Sequence, residues 1–330
     1  FFFFFKQKTA YEIGACDGVQ TCALPISEDA AGTIVVDGDD RVAFVDDAVS
    51  NRVPTEDGQG VYALLLDPQG HVEADLYVLN AGKRLLVFTP PGRAGPLAAE
   101  WQEKTFVQDV EIRDATEEFA TFGVHGPKAT EKIASVFSEQ TPDEPLTFVR
   151  GVMDRVGVTV IRTDGLTGEA GYEVICAADE AADVFDTLEN RGLNAAPFGW
   201  RTWESLTLEA GTPLFETELS GRLPNDLGVR NAVDFEKGCF IGQEVVSRIE
   251  NRGRPSQRLV GLTTDTVVDA GTPVVLGENS VGQITRAAHS PTREQAIALA
   301  LVDYEAEGDF SVRGDGEVSD TEQVTLPFVE

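Results

Sequence analysis

Lysine is scarce in this chain. Only seven lysines stand among 330 residues, and all 26 basic residues together face 56 acidic ones. The formal net charge of −30 argues against nucleic acid or an anionic membrane as a partner, because their phosphates would be repelled. Cysteine is scarce too, confined to Cys16, Cys22, Cys176 and Cys239. No two of them have the Cys-x-x-Cys spacing of a metal site, and so few in a long chain do not make a disulfide scaffold. The three histidines, His71, His125 and His289, lie far apart, so nothing suggests a metal centre. No apolar run approaches the ~20 residues that span a bilayer.

What is present is carboxylate, spread through the chain rather than gathered in a tail. With 19 arginines beside the seven lysines, this coat resembles the proteins of salt-in halophiles, where high ionic strength screens self-repulsion. An ordinary acidic cytosolic protein is the alternative. Residues 1–26 differ from the rest. They open on five phenylalanines, and Lys6 to Ile13 resembles translated sequencing-adapter DNA. A signal peptide would begin with a basic segment, so we set 1–26 aside as an artefact.

From residue 27 the pattern predicts two α+β units and an all-β unit. Thr33–Asp37 reads as a strand and 39–50 as a short helix. Gly60–Asp67, Val72–Leu79 and Arg84–Phe88 are strands joined by tight turns, an antiparallel meander. A helix over 96–104 and a strand over Phe106–Ile112 follow. The second unit has strands at Glu118–Val124, Val156–Arg162 and Tyr172–Cys176, and helices at 128–137, 180–190 and 199–209. Asp179 is the expected N-cap of the middle helix. Gly211 and Pro213 stop the last one. After a linker at 252–255, six short strands between 259 and 328 suggest a small barrel or sandwich.

The most specific stretch is Lys237-Gly238-Cys239-Phe240-Ile241-Gly242-Gln243-Glu244. Glycines make the turn, and a helix begins after Gly242. Cys239 would stand ahead of a helix N-terminus with Lys237 two residues away, an arrangement that favours thiolate and raises reactivity. A small apolar residue filling a gap under the turn is the competing reading.

That octapeptide resembles the Lys-Gly-Cys-aromatic-x-Gly-Gln-Glu motif of YgfZ-type folate-binding proteins. These are relatives of the glycine-cleavage T-protein, an aminomethyltransferase, and act in iron–sulfur protein maturation. Thr167-Gly168-Glu169-Ala170-Gly171-Tyr172-Glu173 is similar to a second family segment, and Leu208-Glu209-Ala210-Gly211 to a third. The resemblance covers about residues 33–328. It implies an α+β fold, with two ferredoxin-like halves around a central cavity and a small C-terminal β-barrel. The halves would be 27–113, with 203–251 returning to it, and 114–202; the barrel would be 252–330.

The resemblance also implies a ligand, tetrahydrofolate or a one-carbon derivative. A carboxylate can accept paired hydrogen bonds from the amino-pyrimidine edge of a pterin. Glu169 is the expected pterin reader, with Glu173, Tyr172 and Gln243 as further cofactor-binding residues and Cys239 and Lys237 as the reactive pair. Solvated glutamates and a core tyrosine are the alternatives. Two departures stand out. The segment Phe88–Arg93, where the T-protein places a catalytic aspartate, holds no acid, and such chemistry needs a carboxylate to assist the attacking nitrogen. The family arginine near the folate is Thr207 here. The first reading is therefore a cytosolic, folate-binding protein that helps mature or repair iron–sulfur proteins, with assembly or client proteins as partners. The second is an aminomethyltransferase or related demethylase whose acid comes from elsewhere. The third is a scaffold without ligand.

Overall fold

The computed structural model describes residues 31–193, 195–314 and 317–329. Residues 1–26, set aside above, lie outside them. The described chain divides into two compact units: Glu117–Thr207, and the residues up to Thr116 together with those from Leu208 onward.

The larger unit begins with β1 (Gly32–Asp37), α1 (Arg41–Ala48), β2 (Gln59–Leu66), β3 (Val72–Asn80), β4 (Arg84–Thr89), α2 (Ala94–Lys104) and β5 (Glu111–Asp114). The strands form one antiparallel sheet in the order β2-β3-β4-β1-β5, so the meander is as expected. Strand alternation sends Ala63, Leu65, Ala74 and Leu76 to one face. There they pack with Val45 of α1 and with Leu97 and Trp101 of α2. Leu64 and Leu66 point the other way into a separate cluster with Phe240 and Val246. The strand expected over Phe106–Ile112 is shorter and later. Phe106 and Val107 are 87% and 94% exposed, and pairing with β1 starts only at Glu111.

The smaller unit holds β6 (Phe119–His125), α3 (Ala129–Val136), β7 (Phe148–Met153), β8 (Val156–Arg162), β9 (Gly171–Ala177) and α4 (Ala181–Asn190), with α5 (Trp200–Glu209) following. Its antiparallel sheet runs β6-β9-β8-β7. α3 and α4 bury Ile133, Val184 and Leu188 against Val124, Val160, Tyr172 and Val174. Strand β7 escaped the sequence reading. Its hairpin to β8 turns at Asp154 and Arg155, both at positive φ, without the Asn-Gly signal that marks such turns. Asp179 is not an N-cap: it sits in a 3-10 turn over Ala178–Glu180, and Glu180 precedes α4 without a side-chain cap bond.

The larger unit resumes with α6 (Pro224–Leu227), α7 (Gln243–Arg252), β10 (Gln257–Thr264), β11 (Pro273–Leu276), β12 (Asn279–Ser290), β13 (Gln295–Asp303), β14 (Ser311–Gly314), β15 (Glu317–Asp320) and β16 (Glu322–Val324). These strands make a seven-stranded antiparallel sheet in the order β15-β14-β11-β12-β13-β10-β16. Among the described residues its two end strands do not pair, so it is β-rich but not a closed barrel. Among the described residues no helix is long and apolar enough to cross a membrane.

Candidate functional site

The cysteine turn is built by three contacts within the larger unit. Asp234 Oδ1 accepts the backbone N–H groups of Glu236 and Lys237, which fixes the entry to the turn. Lys237 is buried, and its Nζ donates to the carbonyls of Asp46 (2.5 Å), Val49 (2.9 Å) and Asn51 (2.9 Å). These carbonyls belong to the C-terminal end of α1 and the loop after it, where backbone acceptors lack helical partners. Gly242, at φ +80°, is the N-cap of α7. A Cβ there would stand 2.6 Å from Asp67 O in the β2–β3 turn, so the helix start packs directly on that hairpin.

This geometry corrects the role expected of Lys237. All three of its protons are engaged by carbonyls, and the Asp46 carboxylate lies 3.4 Å away. Burial holds the ammonium below the usual lysine range, opposed by Asp46. It is a structural cation that joins the turn to α1, not a free charge beside a thiol. Cys239 itself is exposed, ahead of α7 as expected. Gln243 is half-buried at the first position of the helix. Cys176 is the opposite case: burial first, then Glu180 and Asp179, push its thiol up to about 11.

Glu169, Tyr172 and Glu173 belong to the smaller unit. Glu169 is exposed in the turn between β8 and β9. The turn is closed at its base by Thr163 N–H donating to Gly171 O, 3.0 Å, and Gly168 takes positive φ within it. Strand alternation then separates the next two residues. Tyr172 is buried in the core, its hydroxyl 3.1 Å from Thr130 Oγ1, so it is not on the face that carries Glu173. This removes Tyr172 from the ligand-facing set. Glu173 is half-buried, with Oε1 3.7 Å from His125 Nε2. The expected site residues thus fall into two groups: Lys237, Cys239 and Gln243 in one unit, Glu169 and Glu173 in the other.

Thr207, at the position of the family arginine, is fully buried and turns its hydroxyl back to the carbonyls of Trp203 and Glu204. An acid does stand one strand earlier than Phe88–Arg93. Asp75 on β3 is half-buried and accepts a hydrogen bond from the Tyr62 hydroxyl at 3.3 Å. Tyr62 and Tyr77 lie beside it, their ring centroids 4.9 Å apart. Its sequence signal was a second carboxylate, after Glu73, inside an otherwise apolar strand, Val72-Glu73-Ala74-Asp75-Leu76. Among the described residues no three His, Cys, Asp or Glu side chains gather as a metal site.

An antiparallel sheet with two helices, a second antiparallel α+β unit and a terminal β-rich sheet define a T-protein-type fold. The chain belongs to the glycine cleavage T-protein family: residues 16–237 match the GCVT N-terminal domain and 257–330 the glycine cleavage T-protein C-terminal barrel domain. The first match begins inside the segment set aside from the sequence. An aminomethyltransferase of Bacillus cytotoxicus is 29% identical over 299 residues, covering 87% of this chain and 80% of that protein. One from Bacillus cereus strain B4264 is 29% identical over 301 residues, with the same coverage. The fold is shared with the glycine cleavage system aminomethyltransferase T from Bartonella henselae, at a TM-score of 0.82 and 23% identity, over 94% of this chain and 87% of that one.

Proposed function

We propose that the chain is a tetrahydrofolate-dependent aminomethyltransferase, with Asp75 as its general base. The observation that carries this reading is Asp75: a half-buried carboxylate, oriented by a phenol, in a family whose named relatives are aminomethyltransferases. A bound tetrahydrofolate supplies the nucleophilic amine that receives the one-carbon unit. Asp75 takes up the proton released when such an amine is alkylated, and Tyr62 holds the carboxylate in place. Within the smaller unit, taken by itself, Glu169 and Glu173 are acceptors of the kind that pair with an amino-pyrimidine edge. Their chemistry fits that ligand: two acceptors, Glu169 exposed in a glycine-rich turn and Glu173 half-buried on the strand that follows. Thr207 offers no cation, so recognition rests on the carboxylates.

The test is Asp75→Asn, assayed for tetrahydrofolate-dependent one-carbon transfer from an aminomethyl donor. We expect turnover to fall by about a hundredfold or more while tetrahydrofolate affinity changes by less than about threefold. Undiminished turnover in the variant would sink the assignment of the base. A second reading, iron–sulfur protein maturation through Cys239 with folate bound, is favoured by one observation, the exposure of that thiol. It gains if tetrahydrofolate binds without transfer and Cys239→Ser fails to restore iron–sulfur enzyme activity in a deletion strain.

A further inference from the structure

Three buried polar side chains of the smaller unit lack hydrogen-bond partners. His125 is 3% exposed and neither ring nitrogen is partnered. The hydroxyls of Thr163 and Thr167 are buried and unpartnered as well. An interior does not tolerate such groups without compensation. Two of them converge on one residue. Gly171 opens β9 and stands opposite His125 in the β6–β9 register. A Cβ on Gly171 would lie 2.6 Å from His125 Nδ1 and 2.6 Å from Thr163 Oγ1. The two atoms therefore flank the same glycine, and the absence of a side chain there lets them approach. On the other side of the imidazole, Nε2 lies 3.7 Å from Glu173 Oε1. The edge of the ring system is closed by Trp203, with 5.1 Å between centroids.

We infer that His125 is a positioning residue for Glu173, acting as a clamp between that carboxylate and the turn that carries Glu169. The Nε2–H tautomer donates to Glu173 Oε1, and a small side-chain shift closes 3.7 Å to hydrogen-bond length. Nδ1 then accepts the hydroxyl proton of Thr163. The backbone already brings the parts together: Thr163 N–H donates to Gly171 O and Gly126 N–H to Ala170 O. A carboxylate held in this way loses little freedom when a ligand's donor edge arrives. That consequence rests on the folate reading; the clamp itself does not.

Two measurements on the full chain separate the two claims. The first needs no ligand. Nitrogen-15 spectra of the imidazoles, only three in the sequence, should show His125 protonated at Nε2 and not at Nδ1. Its Nε2 signal should move in Glu173→Gln and its Nδ1 signal in Thr163→Val. The opposite tautomer, or signals unmoved by both variants, overturns the clamp. The second is tetrahydrofolate binding. His125→Leu should weaken it by roughly tenfold, the scale of a hydrogen bond to a charged group. His125→Gln, which keeps a donor and an acceptor, should restore it to within about threefold. In a Glu173→Gln background His125→Leu should cost nothing more. Additive losses overturn positioning. Failure of the unaltered protein to bind tetrahydrofolate overturns the folate reading, and the imidazole spectra still decide the role of His125.

Discussion

A lysine ammonium has three protons, and Lys237 places each on a carbonyl at the end of α1. Removing it strands one buried and two partly buried acceptors and the charge of Asp46. Lys237→Met should therefore cost about 3 kcal/mol, measured by urea unfolding, although it keeps the length of the side chain. A loss below about 1 kcal/mol would return Lys237 to the role of a free charge. The two described cysteines make a second pair of expectations. A thiol reagent on the native protein should modify Cys239 quickly and Cys176 only after unfolding, read by mass spectrometry. The Cys176 thiol is raised in the folded state from 9.0 to about 11. As pH rises past 9, the unfolded chain gives up this proton first. The stability contributed by the neutral buried thiol is thus whole below pH 9 and lost between 9 and about 11. Over that interval the unaltered chain should lose more stability than Cys176→Ala. Lys237 titrates in the opposite sense there, and it cancels because both proteins carry it.

The elements legible in the sequence were those announced by local chemistry. The β2–β3–β4 meander followed from glycine turns between apolar runs, and α7 from Gly242 ahead of a helical pattern. Elements set by tertiary pairing were not legible. β5 starts where β1 offers a partner, and β7 turns through two residues that carry no turn signal. The site divides in the same way. Glu169 and Glu173 were singled out by the resemblance of their segment to the family rather than by local pattern, and β-alternation explains why Tyr172 does not share a face with Glu173. No local pattern marks His125, a lone histidine at a strand end; only the fold brings Gly171, Thr163 and Glu173 to it. The two glycines of the cysteine turn give an internal control. Gly242 combines φ +80° with a backbone oxygen 2.6 Å from any Cβ, whereas a Cβ on Gly238 meets nothing within 4 Å. Gly242→Ala should cost on the order of 3 kcal/mol, from backbone strain and from lifting α7 off the hairpin. Gly238→Ala should cost less than about 1 kcal/mol. Equal losses in denaturant unfolding would mean that the turn, not the helix–hairpin contact, sets the stability.

At the scale of the whole molecule the dominant feature is charge. An excess of 30 carboxylates repels itself in the compact state and is relieved on unfolding, so the native state stands to gain from screening. The Debye length falls from about 10 Å at 0.1 M salt to about 3 Å at 1 M, which reaches the spacing of neighbouring surface charges. Screening also weakens attractive pairs. Those at the surface, such as Arg254 with Glu305 and Lys104 with Glu100, are more than half exposed and contribute little. The buried contacts of Lys237 are sheltered from salt. Relief of repulsion should therefore win, and the melting temperature should climb by roughly ten degrees between 0.1 and 2 M potassium chloride, the equivalent of a few kcal/mol in a chain this long. Sucrose supplies the control, since it strengthens burial by exclusion without screening any charge. An equal rise in sucrose would assign the effect to exclusion, and a flat response to potassium chloride would show that the carboxylates are spaced widely enough not to oppose folding.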